Sequence, residues 1–311
     1  MDILRTFAES RGYFTRQEAL EAGYDDNAIR RALKARLWTR IRQGAYSFTD
    51  LWTEADEIEK HLSTARAVAR RLAPRVALSH TSAALDHELV VWGADLSEVH
   101  LTRLDGGSGR TEAGVVHHEG FCMGGDVLER DGYLVMKPAR AALETCSLVR
   151  TEAAVAILDA GLHGKRFDDE EVRAVFALMR EWPNTLHLQF AVPFADGRAE
   201  SVGESRSRYL CHRYRLPAPE LQCPVYDEDG ELIGVSDFQW KRQRLLGEFD
   251  GKIKYGRLLK PGEEPGDVVF REKVREDAMR RVTGCAMVRL IWSDLYRGAE
   301  TAARIRRLMQ P

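Results

Sequence analysis

Apolar positions over the first fifty residues follow two rhythms, a helical one and then an alternating one. The pattern predicts a helix over residues 2–9. A second helix opens on Thr15-Arg16-Gln17-Glu18, where a threonine followed three residues later by a glutamate has the form of a capping box, and it ends at Gly23. Asp25 or Asp26 caps a third helix running to about residue 36, with Ile29, Leu33 and Leu37 on its inner stripe. The period then becomes two, which predicts strands over residues 37–42 and 45–48 joined by a tight turn through Gln43-Gly44.

Further along, residues 54–72 form a charged amphipathic helix. Residues 74–180 alternate strand-like and helical stretches, with strands at 76–78, 97–103, 114–118 and 133–137 and helices at 81–87, 139–149, 152–162 and 168–180. A third pattern opens near Asp196-Gly197. It predicts a helix over 201–214, stopped by Leu216-Pro217-Ala218-Pro219, then strands at 221–226, 232–240 and 245–252. A helix over 270–282 and a strand over 286–292 complete it. The expected fold class is α/β (α+β) in three parts: a winged helix-turn-helix at 1–52, a mixed α/β domain at 53–190, and a restriction-endonuclease-like α/β domain at 196–311.

Composition narrows the setting. A chain of 311 residues suggests two or three domains. No stretch approaches the ~20 apolar residues of a membrane span, and the N-terminus MDILRTFAES lacks a secretory pattern, so a cytoplasmic protein with no membrane partner is expected. Five scattered cysteines without a CxxC pair argue against a disulfide framework or a zinc ribbon. The net charge of −2 hides a local asymmetry, because residues 30–42 carry Arg30, Arg31, Lys34, Arg36, Arg40 and Arg42 and no acid.

Three helices and a two-stranded wing make the plan of a winged helix. Turning the third helix about Ile29 and Leu33 leaves Asn27, Arg30, Arg31 and Lys34 outward, types suited to base edges and phosphates in a major groove of double-stranded DNA. Arg40 and Arg42 fall on the wing beside the flanking backbone. A merely solvated helix face is the alternative, and the joint presence of helix, turn and hairpin weighs against it. The stretch FTRQEALEAGYDDNAIRRALKARLWTRIRQGAYSF resembles the N-terminal domain of AbiEi-type antitoxins, matching that family's glycine at Gly23 and its GxY at Gly44-Ala45-Tyr46. The resemblance implies a DNA-binding autoregulator of a toxin–antitoxin operon, with a cognate toxin as partner.

The middle stretches Leu78-Ser79-His80-Thr81-Ser82-Ala83-Ala84 and Val99-His100-Leu101-Thr102 resemble the second domain that follows such headpieces. Ser79 with His80, or His117 with His118, suggests a nucleophile or a metal pair. Adjacent strand residues point to opposite faces, however, so neither pair converges on one atom unaided, and packing or partner contact is the expected role.

The C-terminal segment VSDFQWKRQRLLGEFDGKIKY carries the acids. Closing a hairpin between Trp240 and Leu245 makes the numbers of facing partners sum to 485, which sets Asp237 opposite Glu248 at the ~4.5–5.5 Å Cβ separation of cross-strand neighbours. The period of two places Glu248, Asp250, Lys252 and Lys254 on one face. Carboxylates so close repel unless a cation sits between them, and converging carboxylates with a lysine suit Mg²⁺ or Mn²⁺ and phosphodiester hydrolysis. From Glu200 to Leu295 the chain resembles the PD-(D/E)XK nuclease superfamily, nearest its very-short-patch-repair branch. The resemblance implies Asp237, Glu248 and Glu204 as metal-binding acids, with catalysis at Asp237, Glu248, Asp250 and Lys252. The departure is that Glu248 is followed two residues later by Asp250 rather than lysine. Glu204 has an alternative role in a Ser201–Glu204 capping box. Arg206 and Arg208 are read as phosphate contacts or surface pairs, the helix bearing Glu272, Arg275 and Glu276 as mostly solvated, and Arg289 as a phosphate contact.

Two functions follow. One is a DNA-binding endonuclease dependent on Mg²⁺ or Mn²⁺; the other is a non-catalytic AbiEi-like antitoxin and transcriptional regulator that keeps the nuclease fold as a scaffold. An RNA-directed nuclease is a third reading.

Overall fold

The computed structural model describes residues 2–251 and 265–309. The fold is mixed α/β, with helices and, among the described residues, three sheets, and divides into two units: residues 1–150 with 166–189, and residues 151–165 with 190–311. Lys252 lies outside the described residues.

The first unit begins with α1 (Ile3–Arg11), β1 (Phe14–Thr15), α2 (Arg16–Glu21), α3 (Asp26–Lys34), β2 (Trp38–Arg42) and β3 (Ala45–Phe48). Asp2 caps α1, the Thr15–Glu18 capping box opens α2, and Asp25 caps α3, so each helix start is written in a side chain that satisfies an orphan amide. The strands form a sheet in the order β1-β3-β2. Leu4, Ala8, Phe14, Ala19, Ile29, Trp38 and Tyr46 make the core beneath it, with the Phe14 and Trp38 rings edge to face at 4.7 Å. One expectation fails here. Leu37 does not join the inner stripe but is 64% exposed, because Arg36 takes the left-handed conformation (φ 55°) and turns the chain out of the helix.

The unit continues through α4 (Thr49–Glu54), α5 (Glu57–Leu72), β4 (Val76–Leu78), α6 (His80–Asp86), β5 (Val99–Arg103), β6 (Arg110–Glu112), β7 (Val115–His118), β8 (Val127–Arg130), β9 (Tyr133–Met136) and α7 (Pro138–Cys146). After α8 (Thr151–His163), which belongs to the second unit, α9 (Asp169–Met179) returns to the first and packs on α7. The strands make one mixed sheet in the order β6-β7-β5-β4-β9-β8. The central strand β4 is buried along its whole length, whereas the edge strand β6 is exposed throughout. The edge strands β6 (RTE) and β8 (VLER) are short and lack an apolar alternation that sequence reading detects.

In the second unit, α10 (Leu188–Phe194) leads to α11 (Val202–Arg213), β10 (Glu220–Tyr226), β11 (Leu232–Trp240), β12 (Leu245–Asp250), α12 (Pro265–Thr283), β13 (Ala286–Ile291), α13 (Trp292–Tyr296) and α14 (Gly298–Leu308). The sheet order is β10-β11-β12-β13, antiparallel at the first two junctions and parallel at the last. Leu210, Phe238, Trp240, Leu245, Phe249, Leu290 and Ile305 belong to its core. A side chain at Gly203 would place a Cβ 1.9 Å from the Phe249 ring, so only glycine lets α11 approach β12 this closely. Arg206 and Arg208 depart from their expected roles at the surface. Both are buried, Arg206 paired with Glu152 at 2.7 Å and Arg208 with Asp159, and these bonds tie α8 to α11. Among the described residues, no helix is long and apolar enough to cross a membrane.

Candidate functional site

On α3, Ile29 is buried while Asn27, Arg30, Arg31 and Lys34 are exposed on the opposite side. Arg30 Nη1 donates to Asn27 Oδ1 at 2.8 Å, which orients the guanidinium along the helix surface. Arg40 is exposed on β2 and Arg42 is half-buried beside it. Asp26, in the first turn of α3, is paired with Arg16 at 2.6 Å, and the N-cap Asp25 accepts the Ala28 N–H. Glu18 anchors the headpiece to the next helix, Arg11 and Arg70 both pairing with it. Burial works to raise the Glu18 pKa, and the Arg11 and Thr15 hydrogen bonds outweigh it, leaving the carboxyl below its ordinary range.

In the second unit, Trp240 faces Leu245, Gln239 faces Leu246 and Phe238 faces Gly247, the pairing expected from the hairpin. The ladder ends at Phe238–Gly247, one residue short of Asp237 and Glu248, although the Asp237 charge acts on Glu248; Glu248 is itself paired across the parallel junction with Arg289. The Asp237 Oδ2 accepts the Phe249 backbone N–H at 2.7 Å. Glu248 is buried and meets Arg275 Nη2 at 2.8 Å and Arg289 Nη2 at 3.4 Å. Arg275 also pairs with Glu272, and Arg289 with Glu276 at 2.9 Å and Asp250 at 3.7 Å. Burial raises the Glu248 pKa; Arg275 opposes the shift, the Asp237 charge adds to it, and Arg289 opposes it again.

Arg275 is therefore not a solvated helix residue but half-buried against the acids. Arg289, expected at a phosphate, is shared among Glu248, Asp250 and Glu276. Ser201 caps α11, its hydroxyl accepting the Glu204 N–H at 3.2 Å, and the Glu204 carboxylate braces that turn without bonding the Ser201 amide as a capping box would. Its Oε2 accepts the Glu200 N–H at 3.0 Å and Gln222 Nε2 at 2.9 Å, and its Oε1 accepts the Ser201 hydroxyl at 2.7 Å. Among the described residues no group of three or more His, Cys, Asp or Glu is arranged to hold a metal ion. A divalent ion at Glu248 would have to displace two guanidinium groups, so the described acids do not by themselves fit Mg²⁺ or Mn²⁺.

A third constellation lies in the first unit and is not legible from spacing. His80 at the start of α6, His100 on β5 and His118 on β7 come together. The His80 and His118 rings stack at 3.7 Å, and His100 Nδ1 lies 2.9 Å from His118 Nε2. His80 adopts φ 48°, a left-handed conformation that costs a non-glycine residue energy and recurs at functional sites. Burial and the neighbouring imidazoles lower the His80 pKa well below its ordinary value. Burial and His118 bring His100 to about 4, and burial with His117 brings His118 to about 4. All three rings are neutral at neutral pH. His117 belongs to the opposite face, where burial and the charges of Arg110 and Arg103 lower its pKa. The adjacent His117 and His118 thus do not converge, as strand alternation requires; what alternation conceals is that His118 has partners on two other elements.

Residues 1–49 match the family model described as transcriptional regulator, AbiEi antitoxin. The longer comparison is with uncharacterized proteins from two strains of Mycobacterium tuberculosis. Each is 31% identical over 231 residues, spanning 73% of this chain and 81% of the relative. The chain belongs to the same family as these mycobacterial proteins, with an AbiEi-type regulator domain at its N-terminus.

Proposed function

We propose that the chain is a transcriptional regulator of the AbiEi antitoxin type, acting in the cytoplasm on double-stranded DNA and paired with a cognate toxin protein. The observation that carries this reading is the exposed row Asn27, Arg30, Arg31 and Lys34 on the third helix of a headpiece that matches the regulator family. In a major groove these side chains reach base edges and phosphates, while Arg40 and Arg42 meet the flanking backbone. Gel shifts with the chain's own promoter DNA test the reading. Replacing Arg30, Arg31 and Lys34 together by alanine should weaken binding and reduce the salt slope by up to about three phosphate contacts, each worth ~0.9. Unchanged affinity and slope would remove DNA from this face.

A second reading, metal-dependent hydrolysis of DNA, attaches to the C-terminal acids Asp237, Glu248, Asp250 and Glu204 with Lys252. The position of Asp237 beside Glu248, and its contribution to the raised Glu248 pKa, favour it. The arginines on Glu248 weigh the other way, which makes the regulator the better supported function. Calorimetric titration with Mn²⁺ and a plasmid-nicking assay on the full chain, with Asp237→Asn as comparison, decide it. No metal binding by the wild type, or nicking that survives Asp237→Asn, sinks the nuclease.

A further inference from the structure

We propose that His80, His100 and His118 form a binding site for a borderline transition-metal divalent cation, of the class of Zn²⁺, Co²⁺ or Ni²⁺. Imidazole nitrogen is the protein ligand these ions share. The site is independent of both the DNA face and the C-terminal acids.

The central relationship is the His100 Nδ1 to His118 Nε2 separation of 2.9 Å. Two neutral imidazoles hold such a contact by sharing one proton. Two nitrogens on a tetrahedral ion with bonds of ~2.0–2.1 Å stand about 3.3 Å apart. The centroids of these two rings are 5.2 Å apart, so the nitrogens now point end to end, and exchanging the shared proton for an ion asks both rings to swing off that line as the nitrogens part by a few tenths of an ångström. The third ring is in reach, since His80 is stacked on His118. In the arrangement described, the rings stack rather than surround one point. Completion of the site therefore needs all three rings to turn about their side-chain torsions, His80 out of its stack and His100 and His118 off their common line.

The surroundings carry both signs of charge: a Glu144 oxygen stands behind His80, and the Arg140 guanidinium also acts on it. His80 Nδ1 lies 3.0 Å from the Ser79 hydroxyl and 3.7 Å from a Glu144 oxygen, so this nitrogen faces the supporting groups. Among the described residues the opposite nitrogen, Nε2, forms no hydrogen bond. A carboxylate behind the non-ligating nitrogen of a histidine fixes its tautomer and raises its basicity. Glu144 is held for that role, accepting the His80 backbone N–H at 3.1 Å and the Arg140 Nε at 2.9 Å, with Arg140 braced in turn by Asp126. Thr81 Oγ1, next to His80, is buried with no hydrogen-bond partner among the described residues.

The experiment uses the full chain, stripped with chelator and titrated with Co²⁺ and with Zn²⁺ by calorimetry and visible absorption. One ion per chain with weak ligand-field bands of nitrogen-ligated cobalt is the expected result. His100→Ala and His118→Ala should each lower affinity at least tenfold, Glu144→Gln by about 10–100-fold, and the exposed His163→Ala should leave it unchanged. Should an alanine variant fail to fold by circular dichroism, imidazole ¹⁵N shifts of the wild type decide the matter. Zn²⁺ must then move the resonances of His80, His100 and His118. Absence of binding, affinity indifferent to these histidines, an intense thiolate-to-cobalt band, or zinc-induced shifts confined to other histidines would each overturn the site.

Discussion

Arg208 Nη2 sits 3.0 and 2.9 Å from the two carboxylate oxygens of Asp159, with both side chains buried between α8 and α11. A charge pair withdrawn from water in this way is costly to break from one side, because the survivor stays buried and uncompensated. Arg208→Met should destabilise the chain by about 3–5 kcal/mol, read from denaturant unfolding. A loss below about 1 kcal/mol would mean that the pair is solvated in solution.

The same pair predicts a pH dependence. Burial raises the Asp159 pKa, while the Arg208 charge and the Asp196 backbone N–H oppose the shift. A carboxyl whose folded pKa exceeds its unfolded value binds its proton more readily in the native state. Its ionised form therefore destabilises the fold increasingly as pH rises from the unfolded value through the folded one. Removing Arg208 raises the folded value further. The stability gap between wild type and Arg208→Met should widen as pH rises above the ordinary aspartate range and narrow towards acid. Paired melts across that interval measure it.

Glu204 offers a sharper test of the turn that opens α11. Its two oxygens take up the Glu200 amide, the Ser201 hydroxyl and the Gln222 amide. Glu204→Ala should cost about 1 kcal/mol through the hydrogen bonds lost, without altering DNA binding by the headpiece. Thermal melts and gel shifts on the same sample separate the effects.

Asp237 has a structural duty whatever else it does. The Phe249 amide that it accepts belongs to a buried residue, so Asp237→Ala should cost about 1–3 kcal/mol by leaving that donor unsatisfied. Asp237→Asn retains an acceptor and should cost less. Equal losses in the two variants would show that the negative charge, not the hydrogen bond, stabilises β12.

The contribution of α8 to the second unit predicts how the chain can be cut. A fragment starting at residue 195 loses Glu152 and Asp159 and leaves Arg206 and Arg208 buried without them. It should melt at lower temperature and less cooperatively than a fragment starting at residue 151. Calorimetry on both decides it, and identical melting would mean that α8 is dispensable.

Local chemistry was readable in the sequence wherever it involved residues close in the chain. The caps at Thr15, Asp25 and Ser201 follow from short-range bonding, and the outward face of α3 follows from the helical period about Ile29. The register that pairs Trp240 with Leu245 and Phe238 with Gly247 follows from a tight hairpin, whose short loop leaves few pairings open. Tertiary structure decided what long-range approach controls. Arg275 and Arg289 reach Glu248 from a helix and a strand 27 and 41 residues away, and no periodicity records that meeting. Arg206 and Arg208 look like surface cations until α8, some 50 residues earlier, supplies their acids. His118 reads as half of an adjacent pair, and only the order of β7 and β5 in the sheet gives it His100 and His80 instead. Sequence periodicity reports which face a side chain takes; what stands opposite that face depends on how distant segments pack.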